Sequence, residues 1–286
     1  MEGPVRFTKM HGCGNDYLFI DVRHWPAWEK EDWPRLAQAM SDRHFGVGAD
    51  GIILIAPSRV APVRMRIFNS DGSESEMCGN GLRSLAKWLY DRGELGAEQA
   101  IETGAGVLHP QVLEVHEGRA CWIRVDMGEP AYTRAALGME GDPDASTLDL
   151  EVSAGGITWR GSAVSMGNPH LVLFGPRWSE DEAAQYGPLL EHHPWFPHRI
   201  NVHSVEVVSP EAMRIRHWER GAGLTLACGT GVCAATVAGV LTGRTARAVT
   251  VDVPGGTLRC QWDAETGHVW LEGPAVEVCE GQYWPR

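Results

Sequence analysis

One pattern occurs twice in this chain of 286 residues, and a chain that repeats itself has to build two versions of one fold. The first copy opens with a strand-like run, Val63-Arg64-Met65-Arg66-Ile67-Phe68, and continues from Asn69 through Cys78-Gly79-Asn80-Gly81 to Arg83. A helical run follows, with Leu82, Leu85, Trp88 and Leu89 spaced along it and Gly93 as its stop. The second copy lies 150 residues on: Met213-Arg214-Ile215-Arg216-His217-Trp218, then Glu219, then Cys228-Gly229-Thr230-Gly231 and the run Val232 to Leu241.

Other landmarks keep nearly the same offset. Gly167-Asn168-Pro169-His170 stands 153 residues after Gly14-Asn15-Asp16-Tyr17, and Asn201-Val202-His203 stands 150 after Gly51-Ile52-Ile53. Residues 179 to 191 have helical spacing, as do 29 to 40. The expectation is an internal duplication. Its halves are residues 1–130, with 274–286 added back as a final strand, and 131–273. The boundary falls in or just before Ala136 to Asp149, whose Gly, Pro, Asp and Ser content predicts an exposed connection. Val232 to Leu241 is apolar on every side, which predicts a buried helix.

Composition excludes several classes. A net charge of −12, with acidic residues spread along the chain, argues against nucleic-acid and anionic-membrane partners. No apolar run approaches the roughly 18 residues of a membrane span. Met1-Glu2-Gly3-Pro4-Val5-Arg6 lacks the regions of a signal peptide, so the cytoplasm is the expected location. Seven cysteines, an odd number with no C-x-x-C pair, predict reduced thiols rather than a disulfide framework or a zinc knuckle. Cys13, Cys121, Cys233 and Cys260 read as core filler. His192, His193 and His198 lie in a Pro- and Trp-rich stretch that reads as a loop, so no metal site is expected.

Cys78 and Cys228 each open a predicted helix. A helix N-terminus carries partial positive charge and unpaired N–H groups, so it binds carboxylates and is expected to pull a thiol below its free pKa of about 8.5. Halves related by duplication commonly pack about a pseudo-twofold axis, which would aim both mouths at one cleft. A sulfur on each face of a carbon beside a carboxylate suits one reaction, inversion of that stereocentre by a base and an acid. Such chemistry demands no metal and no cofactor.

At these residues the sequence resembles the diaminopimelate epimerase family. The resemblance covers nearly the whole chain: Gly14-Asn15-Asp16, Asp42-Arg43-His44 with Gly46 to Gly51, Asn69 through Arg83, Gly167-Asn168-Pro169-His170, Asn201, and Trp218-Glu219-Arg220-Gly221 leading to Cys228-Gly229-Thr230-Gly231. It implies an α/β (α+β) fold of two pseudo-symmetric domains, each a curved, mostly antiparallel sheet or barrel around a central helix. It implies a cofactor-independent isomerase, without PLP, that interconverts LL- and meso-diaminopimelate in lysine and cell-wall precursor biosynthesis. Cys78 and Cys228 would be the acid/base pair. Gly79, Asn80, Gly229 and Thr230 would hold the reacting carboxylate. Asn15, Asn69, Asn168, Asn201 and Arg220 would bind substrate, Arg220 at the distal carboxylate. Glu219 would face a substrate ammonium and, with His170, tune the thiols.

The pattern departs from the family at Leu224, where an acidic residue is common, and at Gly51, where some members carry a substrate-contacting Gln. Cys279 stands where an aromatic is often found at the dimer interface, which bears on the homodimer that the family implies. Read by ordinary propensity, Asn15, Asn69, Asn168 and Asn201 are also turn or cap residues, and His170 a satisfied core histidine. Three rival functions stand beside the epimerase, and one of them, an isomerase of the phenazine-biosynthesis type, shares the fold but lacks the cysteine pair. A proline racemase or hydroxyproline epimerase would usually carry Cys-Gly-His at 78–80 and would leave Arg220 without a role. A thiol-redox protein would use Cys78 and Cys228 as a switchable disulfide.

Overall fold

Val5–Gly12 (β1) and Asn15–Asp21 (β2) form a hairpin whose turn is Cys13 and Gly14 alone. Both turn residues have positive φ, 53° and 85°, the primed geometry that matches strand twist. The strands therefore run further into the Gly-rich segment than its composition implies. The structure, a computed structural model, describes residues 3–285. Met1, Glu2 and Arg286, which the leader reading and the 274–286 strand include, lie outside the described residues. By its contacts the chain divides into two units: residues up to Val125 together with those from Gly273 on, and Asp126–Glu272.

In the first unit, α1 (Trp33–Ser41) connects β2 to the parallel strand β3 (Gly51–Ala56). Asp32 caps α1 by accepting the Arg35 N–H, and a separate 3₁₀ turn occupies Trp28–Lys30. The helical spacing over 29 to 40 thus holds two elements. β4 (Val63–Asn69) returns antiparallel and carries the two-residue strand β5 (Glu74–Ser75). Then α2 (Gly79–Asp91) crosses to β6 (Ile101–Thr103), parallel to β4, and β7 (Gly106–Leu108) turns back on β6. A hairpin, β8 (Gln111–His116) and β9 (Arg119–Asp126), packs Val112, Ala120 and Ile123 beside Ala86 of α2.

Every residue of β3 is buried. Ile52, Leu54 and Ala56 meet Trp33, Leu36 and Met40 of α1, while Ile53 meets the first turn of α2. A helix on each face explains why Gly51-Ile52-Ile53-Leu54-Ile55-Ala56 has no polar alternation.

The second unit repeats this plan. It starts with α3 (Arg134–Leu137), then β10 (Leu150–Ala154), β11 (Ile157–Ser165) and β12 (Pro169–Phe174). Next come α4 (Glu180–Glu191), with a Ser179/Glu182 capping box, β13 (Asn201–Ser209), β14 (Ala212–Glu219) and β15 (Gly223–Thr225). α5 (Gly229–Leu241) crosses to β16 (Ala248–Val253), and β17 (Gly256–Trp262) and β18 (Val269–Pro274) follow. The last strand, β19 (Val276–Tyr283), returns to the first unit, antiparallel to β1.

Pairings match step for step. β11–β12 is antiparallel, β12–β13 parallel, β13–β14 antiparallel and β14–β16 parallel, as are β1–β2, β2–β3, β3–β4 and β4–β6. The register matches too. His170 pairs with Asn201 as Tyr17 pairs with Gly51, and His203 pairs with His217 as Ile53 pairs with Ile67.

α5 is buried from Gly231 to Gly239 and lies against β11, β12, β13, β16 and β17, so its sheet curves around it. That surrounding is what an all-apolar helix requires. Ala136 to Asp149 is exposed along most of its length but anchored at three points. Leu137 and Met139 join the core with Trp178 and Phe196, and Thr147 is fully buried with its hydroxyl on the Tyr132 carbonyl. Apolar side chains between the turn residues pin this segment down. Among the described residues no helix is long and apolar enough to cross a membrane.

Candidate active site

Cys78 is the N-cap of α2, and its backbone is still extended. Its Sγ accepts the Gly81 N–H at 3.4 Å, so the sulfur itself satisfies one of the helix's free donors. Gly81 is a packing requirement: a Cβ there would stand 2.6 Å from Ile53 Cδ1. Asn15, leaving the hairpin turn, puts Oδ1 3.5 Å from Cys78 Sγ and 3.1 Å from the Asn80 Nδ2 that donates to it. Arg83, fully buried one turn along α2, donates to Asn80 Oδ1 at 2.6 Å. Asp50 Oδ2 accepts from Asn15 Nδ2 at 2.7 Å, and Arg43 bridges Asp50 and Asp16. Cys78, Asn15 and Asn80 thus form one bonded group, with Gly79 as the first helical residue beside them.

Asn69 is elsewhere in its bonding. Its amide donates to Ser73 Oγ at 3.0 Å and its backbone N–H to the Ser73 carbonyl, a turn closure at the end of β4.

In the second unit Cys228 is the N-cap of α5, 5 % exposed, with Gly229 and Thr230 as the first helical residues. Its sulfur makes no cap bond; Thr230 Oγ1 lies 3.6 Å from it. Asn168 Nδ2 reaches Thr230 Oγ1 at 3.4 Å, and Asn168 Oδ1 lies 2.9 Å from His170 Nε2. Asn201 donates to the Pro169 carbonyl and accepts the Arg220 N–H, both at 2.9 Å, which ties β12 to the end of β14. The exposed Arg220 guanidinium donates to the His198 carbonyl at 3.0 Å. Glu219 accepts from the Thr225 hydroxyl.

Burial pushes the Cys78 thiol up from its ordinary value, against the pull of the Gly81 and Asn80 N–H groups, the Tyr17 hydroxyl and the Arg83 charge. Burial and then the Glu219 carboxylate push Cys228 up further, against Thr230 and the Gly231 N–H. The expectation of thiols pulled below about 8.5 is therefore corrected: desolvation of each sulfur outweighs the hydrogen-bond donors, and at Cys78 the positive charge, that favour its thiolate. His170 is driven down to about 3 by burial, with smaller effects from His217 and Arg220, so it is a neutral ring.

Several contributors were missed by sequence reasoning. Tyr17 and Asp50 sit inside quoted motifs but carried no assigned role. Glu191, 4 % exposed, accepts the Trp218 indole N–H at 2.8 Å and the Gly221 N–H at 3.0 Å, and so shapes the turn that carries Arg220. His203 and His217 are buried neighbours of His170, and His170, His203 and Cys228 bring donor atoms within 4.8 Å of one another. The offset of 150 would have flagged both, since their counterparts are Ile53 and Ile67. All seven cysteines are free; Cys13, Cys233 and Cys260 are buried, while Cys121 is only half-buried.

Two sheets built on one plan, each with its crossing helix, define a duplicated α/β fold that solved structures share. One is a phenazine biosynthesis protein of the PhzF family from Bacillus anthracis, at 20 % identity and TM-score 0.68 over 99 % of both chains. Another is a probable proline racemase from Agrobacterium radiobacter, at 15 % identity and TM-score 0.68 over 98 % of this chain and 93 % of that one. Within that class, the family model for diaminopimelate epimerase matches residues 7–133 and 162–278, and the chain belongs to that family. It is 51 % identical over 280 residues to the diaminopimelate epimerase of Pelotomaculum thermopropionicum, covering 98 % of this chain and 99 % of the relative. To that of Moorella thermoacetica it is 47 % identical, with coverage of 98 % and 99 %.

Proposed function

We propose that this protein is an isomerase that interconverts LL- and meso-diaminopimelate with two thiols and without PLP. The observation that carries the reading is the paired N-cap cysteines, Cys78 and Cys228, in a chain that belongs to the diaminopimelate epimerase family along nearly its whole length. One sulfur, as thiolate, takes the α-proton; the other, as thiol, returns a proton to the opposite face, and the roles exchange in the reverse direction. Negative charge that builds on the α-carboxylate is met by N–H groups of the helix starts at Gly79-Asn80 and Gly229-Thr230. Burial first and the Glu219 carboxylate second hold Cys228 protonated, and a substrate ammonium facing Glu219 would offset the second of these. Arg220 takes the distal carboxylate as a bidentate partner, and Asn15, Asn69, Asn168 and Asn201 position the substrate.

The seven free thiols suit a reducing compartment, so we place the enzyme in the cytoplasm, in lysine and cell-wall precursor synthesis. A homodimer belongs to the same reading. β19 is an edge strand, and Val276 and Val278 on it are exposed.

The test is exchange in heavy water with reductant present. LL-diaminopimelate is expected to gain deuterium at the α-carbon as it epimerises, while L-proline and trans-4-hydroxyproline are expected to remain unlabelled. Labelling of the ring substrates alone would move the protein to the racemase branch, and labelling of none would return it to the thiol-redox reading.

A further inference from the structure

Three buried histidines lie in line on adjacent strands of the second unit. His170 on β12, His203 on β13 and His217 on β14 are each fully buried. His170 Nδ1 is 2.8 Å from His203 Nε2, and His203 Nδ1 is 2.9 Å from His217 Nδ1. The same three places in the first unit hold Tyr17, Ile53 and Ile67. The fold therefore does not need imidazoles here. A polar chain sits where the sister half shows that an aliphatic pair packs under the same helix start.

The direction of the chain follows from the acceptors. Asn168 Oδ1 can only accept, so His170 Nε2 must carry the proton. A neutral His170 then has a bare Nδ1, so His203 must donate from Nε2. His203 Nδ1 is then bare, and His217 must donate from Nδ1. His217 Nε2 ends the line as a lone pair, buried and with no hydrogen-bond partner among the described residues. The opposite polarity would strand an N–H at that end, the rarer and costlier orphan. Onward from Asn168, Nδ2 donates to Thr230 Oγ1, which leaves the Thr230 hydroxyl proton for Cys228 Sγ at 3.6 Å. Every donor points toward the sulfur. Burial holds His170 and His217 down at about 3 and His203 well below its usual value, so the rings stay neutral at working pH.

We propose that His203 and His217 are positioning residues that lock His170 in its Nε2–H tautomer, fix the Asn168 amide, and thereby aim the Thr230 hydroxyl at the Cys228 thiolate. The role rests on the reading of Cys228 as a catalytic thiol. Its physical core, the polarity of the chain, can be measured apart from activity.

Side-chain ¹⁵N spectra of the wild-type protein are the first readout. They should show His170 and His203 as Nε2–H and His217 as Nδ1–H; His170 as Nδ1–H, or as a tautomer mixture, would overturn the proposal. The second readout is kinetic. His203→Ile, which copies Ile53, is expected to lower kcat by about ten- to a hundredfold, the scale on which misplacing a reacting group slows a reaction, with KM moved less. His203→Gln keeps an N–H for His170 Nδ1 and is expected to recover most of the loss. Full kcat in His203→Ile, or equal damage in Gln and Ile, would contradict the positioning role. If His203→Ile does not fold, His217→Ile, which copies Ile67, takes its place: loss of the single His170 tautomer supports the chain, and an unchanged tautomer with unchanged kcat overturns it. The expected tautomers in a protein that does not epimerise diaminopimelate would support the chain and contradict the function.

Discussion

Arg83 reaches back one turn along α2 and places its guanidinium 2.6 Å from Asn80 Oδ1, with both residues buried. This contact decides which way the Asn80 amide points. With Oδ1 taken, Nδ2 is turned to Asn15 Oδ1, the oxygen that also faces Cys78 Sγ. The charge-assisted bond is of the strong class, and its loss would leave a buried oxygen unpaired.

Arg83→Met is therefore expected to free the Asn80 amide while roughly keeping the packing volume. Steady-state kinetics should show kcat/KM lower by about ten- to a hundredfold, equivalent to about 1.4–2.7 kcal/mol. A variant within twofold of wild type would mean that Asn80 does not need this partner.

The third residue after each N-cap sulfur counts the start as C-G-x-G for a packing reason. A Cβ at Gly81 would stand 2.6 Å from Ile53 Cδ1, and one at Gly231 would stand 2.5 Å from His203 Cε1. Gly81→Ala and Gly231→Ala are each expected to lower stability by about 1–3 kcal/mol in urea unfolding. Gly96, with nothing within 4 Å and no positive φ, is the control, and its Ala variant should change stability by less than about 0.5 kcal/mol. Equal effects at all three positions would contradict the packing argument.

The thiols should titrate unequally. Only a thiolate alkylates readily, and both pKa values are raised, Cys228 more than Cys78. At pH 8 iodoacetamide is expected to modify Cys78 before Cys228, with both rates still climbing above pH 9. Burial raises Cys228 most and the Glu219 charge adds to it, so Glu219→Gln should speed modification of Cys228 and leave Cys78 unchanged. Mass spectrometry of quenched time points reads this directly, and equal acceleration at both sulfurs would contradict the assigned cause.

Much of this was legible in the sequence because the duplication supplied its own comparison. Offsets of 150 found the helix starts at Cys78 and Cys228, and the all-apolar run of α5 announced a surrounded helix. The mixed α/β fold was implied by the family resemblance and agreed with the duplication. What stayed hidden depends on distance across strands. A histidine inside an apolar strand reads as core, and nothing local in Asn201-Val202-His203 or Ile215-Arg216-His217 says that the rings touch. Burial of the sulfurs was equally invisible: helix mouths predict lowered thiols, but the burial that raises them depends on distant parts of the chain. The turn residues of Ala136 to Asp149 announce its exposure, while Leu137 and Met139 need a core to be seen as anchors.

The proposed reaction needs both sulfurs, Cys78 and Cys228. It is tested most directly by Cys78→Ala and Cys228→Ala, assayed separately under reducing conditions for conversion of LL- to meso-diaminopimelate. Loss of turnover in each variant, with the fold intact by circular dichroism, is the predicted result. Wild-type turnover in either one would contradict the account.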